Sequence, residues 1–369
     1  MIFTPILLGI FCILIVLSLA PAPIAAEYWV REMRVIKHDI ADKLSNSPKI
    51  LIGGGSCTLF SIDTQTLTNN LKIPVINMGL HAGLPLDTLL EEARYSAKKG
   101  DVIILPLETS HYSNIVQPNK WTARNTFAWE RELWNQLSVI DKIKYIINIS
   151  PSSSYFNLTM PYVFFELGTA KYNEKFHPEK IQKRLSSFDD KNILARFAAS
   201  TPPIKLTEYS AYNLDKLGNM RGNVGKKWAF TTGRSPENYI NVSNESLEKL
   251  KLFVKQMNEM GIAVYFANIP YIDRESLNYK QIKLANKKFK DTISSFSCVI
   301  DDRQDLIFPL KYFYDTELHL NSEGRIVRTK LLEEAIKKNI LVNNPNCRQG
   351  YLKEIYNFHP NFDVLAVSD

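Results

Sequence analysis

The chain has only four cysteines, Cys12, Cys57, Cys298 and Cys347, and no two of them form a CxxC pair. That excludes zinc-ribbon and thioredoxin-type readings. Each cysteine reads as a small buried residue or an idle thiol rather than a ligand, and no disulfide framework is implied. The one strand-linked glycine run, "KILIGGGSCTLFSID", lacks the Gly-Lys-Ser/Thr ending of a Walker A loop. It also lacks the third glycine of GxGxxG, because Leu59 and Phe60 occupy that region. Thr58 stands where the second glycine of a GxSxG elbow belongs, which removes the α/β-hydrolase motif. No zinc-finger spacing, RNA-binding signature or aromatic-interleaved basic stripe points to nucleic acid. No internal repeat stands out, and no lysine or arginine precedes Pro5.

What is present is ordinary for a globular protein: 369 residues, 45% hydrophobic and 22% charged. The net charge of +7 comes from scattered lysines and reads as a basic, solvated surface. The N-terminus is different. "PILLGIFCILIVLSLA", from Pro5, carries no charge and is followed by "PAPIAA" and Glu27. It is shorter than the ~20 residues of an ordinary spanning helix. Two readings stand: an export signal cleaved near Ala25–Ala26, or an uncleaved signal anchor. Arg31, Arg34 and Lys37 follow it, and the positive-inside rule taken alone would put the body in the cytoplasm. The expectation is a single membrane segment within residues 1–26.

Residues 27–47 read as an amphipathic connecting helix, after which strands and helices alternate. "KILIGG", "IPVINMG" and "DVIILPLE" read as strands. "TLFSIDTQTLTNNL" reads as helical, and "LDTLLEEARYSAKKG" as a helix capped by Asp87 that runs to Gly100. Alternation fails over residues 111–244, a segment rich in aromatics, Asn, Ser and Pro. It resumes over 245–342 with the helix "ESLEKLKLFVKQMNEMG", the strand "IAVYFANIP", a lysine-rich helix, a short strand "CVIDD" and the helix "SEGRIVRTKLLEEAIKKN". Residues 343–369 form a tail. The expected fold is a three-layer α/β/α sandwich with a mostly parallel, flavodoxin-like sheet in two parts, 48–110 and 245–342. A large helical and irregular insertion interrupts it.

Ser56 follows the first strand and opens a helix, the place where sites form in open α/β sheets and where helix N–H groups can face an oxyanion. A Gly-Ser turn capping a helix is the plainer reading of the same residues. A nucleophilic serine needs a base. Of six histidines, His319 in "KYFYDTELHLNSEGR" has acids just before it, Asp315 and Glu317, and a helix just after. A carboxylate beside an imidazole fixes its tautomer and stabilises its charged form. The bland alternative has His319 merely opening a helix capped by Asn321 or Ser322.

Together "GGGSCTLFSID", "PVINMGLHAGL" and "DTELHLNSEG" resemble the SGNH/GDSL hydrolase superfamily, in particular its envelope-associated branch of polysaccharide O-acetylation and teichoic acid D-alanine-transfer proteins. The resemblance covers about residues 45–110 and 245–340. It implies Ser56 as nucleophile, Gly79 beside Ser56 as an oxyanion-hole amide, and His319 as base. The family's DxxH spacing would place the acid at position 316, which is Thr316 here, so Asp315 serves from one residue further back, with Glu317 as the substitute. The family's third-block asparagine has no clear counterpart: the third strand ends "ILPLETSHYSN", and Asn114 lies far along it. Glu108, His81 and Asn268 are weaker candidates for substrate contacts, with Glu108 also readable as a structural carboxylate and His81 as a local packing residue. The implied activity is serine-dependent acyl transfer or ester hydrolysis at the cell envelope, chiefly O-acyl (acetyl) modification of a polysaccharide, with an envelope polysaccharide or other acylated substrate as partner. It implies a membrane-embedded acyl-donor protein as partner, no metal and no organic cofactor. The alternative is a non-catalytic SGNH-like protein that binds glycan or scaffolds an envelope assembly.

Overall fold

A computed structural model describes residues 6–11, 27–113, 121–122, 125, 137–142, 189–204, 209–225, 241–273, 279–301, 306–341 and 347. The chain divides into two compact units, Met1–Arg31 with Val116–Ile193, and Glu32–Ile115 with Leu194–Asp369. In the first unit Glu27 is the organising residue. Its carboxylate accepts the indole N–H of Trp29 and of Trp121, each at 2.8 Å, and its backbone N–H donates to Asn125. Residues 6–11 are helical and exposed, and the rest of the apolar run lies outside the described residues. Among the described residues no helix is long and apolar enough to cross a membrane.

The second unit is an α/β body. Four short strands, β1 (Ile50–Ile52), β2 (Val75–Asn77), β3 (Val102–Leu105) and β4 (Ala263–Phe266), form an all-parallel sheet in the order β2-β1-β3-β4. The register pairs Ile50 with Val75 and Val102, and Val102 with Ala263. One face presents Ile50, Ile52, Val102, Ile104, Ala263 and Tyr265 to Leu67, Leu71, Leu332 and Ile336 of the helices α3 (Thr64–Leu71) and α8 (Ser322–Ile336). Leu51, Ile103, Leu105, Val264 and Phe266, pointing the other way, are equally buried. Strands covered on both faces are continuous apolar runs, as ILI, VIIL and AVYF are.

The structure corrects the sequence reading in three places, two helices and a strand. "TLFSIDTQTLTNNL" is two helices, α2 (Ser56–Ser61) and α3, because Asp63 between them caps the second. The Asp63 side chain accepts from Gln65 N at 3.0 Å, while Thr329 holds its own N–H at 2.9 Å. The helix α4 (Leu86–Ala93) starts after Pro85 rather than at an Asp87 cap, and it stops well before Gly100. There Ser96 takes a left-handed φ of +59° and its carbonyl accepts the Lys49 ammonium at 2.8 Å. Lys49 pairs with Asp101, also at 2.8 Å and fully buried, so the turn is held by charge rather than by further helix. Finally, "CVIDD" makes only a single bridge, Val299 to Phe266, beside a separate two-stranded sheet of β5 (Tyr271–Ile272) and β6 (Ile307–Phe308).

The connecting helix is not a linker over its whole length. In α1 (Tyr28–Lys43), residues from Glu32 onward belong to the α/β unit, with Met33, Ile36 and Ile40 in its core. Lys37 is fully buried: its ammonium donates to the carbonyls of Asn77 at 2.5 Å and Gly218 at 2.8 Å. Burial pushes its pKa well down against the opposing pull of Asp215 and Glu92.

Part of the expected insertion likewise belongs to this unit. Residues 209–225 fold onto α2 and α3: Asn219 Oδ1 accepts Thr64 N at 3.0 Å, and Asn223 Nδ2 donates to Leu320 O at 2.7 Å. Beyond it run α6 (Asn244–Glu259), capped by Ser243, and the lysine-rich α7 (Tyr279–Ile293), both as expected.

Cys298 and Cys347 form a disulfide with Cα atoms 5.3 Å apart, contrary to the reading of idle thiols. Their spacing of 49 residues gave no sequence signal; the pairing arises because the fold returns residue 347 to the core face that Cys298 already occupies. Cys298→Ser is expected to lower stability by about 2–4 kcal/mol. A denaturant midpoint unchanged by the substitution, with both peptides unlinked in non-reducing mass spectrometry, would contradict the pairing.

Candidate active site

The strand order places β1 and β3 side by side with their connections leaving in opposite directions, and ligands of such sheets bind at the carboxyl ends of that pair. The glycine run follows β1 there. A Cβ on Gly55 would stand 2.4 Å from Glu108 Oε2, and one on Gly53 would stand 2.2 Å from the Ala93 methyl. These glycines exist for close approach.

Glu108 follows β3 and reaches across to the β1 turn. Its carboxylate accepts the N–H of Cys57 at 2.7 Å and of Gly55 at 3.2 Å, and it lies 3.2 Å from His111 Nδ1. Burial alone would raise its pKa, but His111 and the Cys57 amide outweigh it and hold the carboxyl below its ordinary value. At 1% exposure Glu108 is a clamp on the Ser56 turn, not the substrate contact expected of it. Cys57, beside Ser56, is also buried. Its burial, reinforced by the Glu108 charge, drives its pKa far up, so it stays a protonated thiol and no competing nucleophile.

On the far side of α2, the chain from Phe313 to Leu320 doubles back through an antiparallel bridge between those two residues. Thr316 turns it: its hydroxyl accepts the N–H of Leu318 and of His319, each at 3.2 Å. The turn brings Asp315 alongside His319, Oδ1 to Nδ1 at 2.8 Å. The extra residue in the spacing is thus absorbed by a turn, and Asp315 rather than Glu317 faces the imidazole. A nitrogen facing a carboxylate carries the proton, which leaves Nε2 as the basic nitrogen.

This loop is fastened to α2. Ser61 Oγ donates to Leu318 O at 3.3 Å, and the Phe60 ring stacks on the His319 ring with centroids 4.3 Å apart. Ser56 lies one helical turn before Phe60, hence on the same face and about 6 Å along the axis. Ser56 and His319 are 6% and 7% exposed. The Ser56 hydroxyl makes no hydrogen bond to any described residue, His319 included, and its N–H opens α2 without an intrahelical acceptor.

The other candidates sit elsewhere. Gly79 packs against α2, where a Cβ would meet Leu59 N at 2.6 Å, but its N–H already donates to Asn77 Oδ1 at 2.9 Å. It is therefore not presented as an oxyanion donor. His81 Nδ1 accepts Gly83 N at 2.9 Å and closes a local turn. Asn268 lies buried at the end of β4, where its N–H donates to Asp301 at 2.8 Å and its carbonyl accepts from Arg328 at 2.8 Å. That is a structural cluster, in which burial raises the Asp301 pKa and Arg328 opposes it. Asn114 lies outside the described residues. Among the described residues no three His, Cys, Asp or Glu side chains gather as a metal site would require.

One residue of the site escaped the sequence reading. The hydroxyl of Tyr209 donates to Asp315 Oδ2 and stands 3.3 Å from His319 Nδ1. Its ring meets Phe60 edge-on at 5.4 Å. It belongs to the aromatic-rich 111–244 segment, where no motif set it apart from the other tyrosines.

Comparison with protein-family models, with curated proteins and with solved structures finds no match for this chain.

Proposed function

We propose that the protein is a serine-dependent acyl-transfer or ester-hydrolysing enzyme of the cell envelope, on a three-layer α/β/α, SGNH-like fold. The observation that carries the reading is the Asp315–His319 hydrogen bond, held by Phe60 and Ser61 against the helix that Ser56 opens. Ser56 Oγ attacks an acyl carbonyl while His319 Nε2 takes its proton, and Asp315 stabilises the imidazolium so formed. The oxyanion faces the free N–H of Ser56 at the start of α2. Collapse breaks the ester bond, and His319 returns the proton to the departing alcohol. Water or a sugar hydroxyl then attacks the acyl-serine, through the same base, to give an esterase or an O-acyltransferase.

The proposed reaction is O-acyl, in the first place acetyl, modification of an envelope polysaccharide, with a membrane-embedded protein as acyl donor and residues 1–26 as membrane attachment. The Cys298–Cys347 disulfide supports an extracytoplasmic body, because such bonds persist in oxidising compartments. One observation favours the second reading, a non-catalytic glycan-binding or scaffolding protein: the Gly79 amide is bonded within the protein, so the oxyanion site has one donor fewer than the resemblance implies. Fluorophosphonate labelling of the folded full-length protein separates the two readings, since only an activated serine reacts.

A further inference from the structure

Each oxygen of the Asp315 carboxylate meets a group of the site. Oδ1 faces His319 Nδ1 at 2.8 Å, and Oδ2 accepts the Tyr209 hydroxyl. The same hydroxyl lies 3.3 Å from Nδ1, so the three groups form a closed triangle rather than a chain. Rings pack around it: the Phe60 ring touches both His319 and Tyr209, and the Tyr209 and His319 rings meet edge-on at 6.3 Å. An aspartate on a turn can rotate about its side-chain bonds. A second donor on the opposite oxygen fixes that rotation and aims Oδ1 at the imidazole.

We infer that Tyr209 is a positioning residue of the site: its hydroxyl locks the Asp315 carboxylate in the orientation that holds the His319 ring, and thereby Nε2, toward Ser56. The segment 209–225 is itself anchored to α3 through Asn219 and to Leu320, next to His319, through Asn223, so the tyrosine is delivered by a built element. Three pieces of chain remote in sequence, 56–61, 209–225 and 313–320, then make one site. Its effect on rate rests on the acyl-transfer reading above, whereas its effect on the histidine does not.

Tyr209→Phe keeps the ring packed on Phe60 and removes only the hydroxyl. Hydrogen bonds to charged groups are strong enough that fluorophosphonate labelling should slow about ten-fold. The double variant Tyr209→Phe/Asp315→Asn should label no more slowly than Asp315→Asn alone, because the tyrosine acts through that carboxylate. A structural role would instead slow both backgrounds equally. Proton NMR supplies the readout independent of activity: the low-field resonance of the His319 Nδ1 proton should move on Tyr209→Phe and stay fixed on Tyr95→Phe, whose hydroxyl donates to Asp42 instead. Labelling at the wild-type rate together with an unmoved resonance overturns the inference. Absence of labelling in the wild type with a moved resonance defeats the acyl-transfer reading and leaves the positioning role standing.

Discussion

Asp315→Asn is expected to reduce hydrolysis of a simple acetyl ester by about 10³- to 10⁴-fold, while Glu317→Gln stays within about two-fold of wild type. The asparagine side chain fits the same space, so Phe60 and Ser61 keep the loop in place against α2. What changes is the partner of Nδ1. An amide presents either an N–H, which forces the imidazole into the wrong tautomer, or an uncharged oxygen, which gives the imidazolium far less support. Nε2 then no longer accepts the Ser56 proton efficiently. Because Thr316 turns the chain so that Asp315 meets Nδ1, the acid two residues before His319 is expected to be dispensable. Equal losses in both variants, measured as kcat/KM with folding checked by circular dichroism, would place the acid wrongly.

The second large effect is structural. Glu108→Gln should destabilise the protein by about 1.5–3 kcal/mol and impair the site with it. The carboxylate accepts from two backbone N–H groups of the Ser56 turn, and a glutamine must offer them an amide with half the acceptor capacity and no charge. The pH dependence has a definite sign. The Glu108 carboxyl lies below its ordinary value when folded, so its stabilising contribution is complete at neutral pH. It is lost as the pH falls from the ordinary carboxylate range through that lowered value. Urea midpoints across this range should therefore fall more steeply for wild type than for Glu108→Gln. Parallel curves would show that Glu108 does not carry the turn.

These two residues also show where sequence reading succeeds and where it stops. The strands β1, β3 and β4 were legible because burial on both faces makes them apolar throughout, and their order along the chain placed Ser56 at a strand end. His319 was legible through the acids that precede it. The identity of the acid was open because spacing alone cannot show that Thr316 caps a tight turn and brings Asp315 round. Glu108 was noticed, but its role depends on the β1–β3 pairing, which sets a β3 residue against a β1 loop. Tyr209 had no local signal at all: its meaning comes from contacts with residues about a hundred positions away. The Cys298–Cys347 pair was hidden for the same reason. By contrast, the Asp63 break between α2 and α3 was written in a capping residue that a closer reading of "SIDTQT" would have caught.

The most direct measurement is fluorophosphonate labelling of the folded full-length protein, with the modified peptide identified by mass spectrometry. The expected result is a single adduct on Ser56, absent from Ser56→Ala and strongly slowed in Asp315→Asn. A folded wild-type protein that acquires no adduct, or acquires it on another serine with Ser56→Ala labelling equally, would contradict a nucleophilic Ser56.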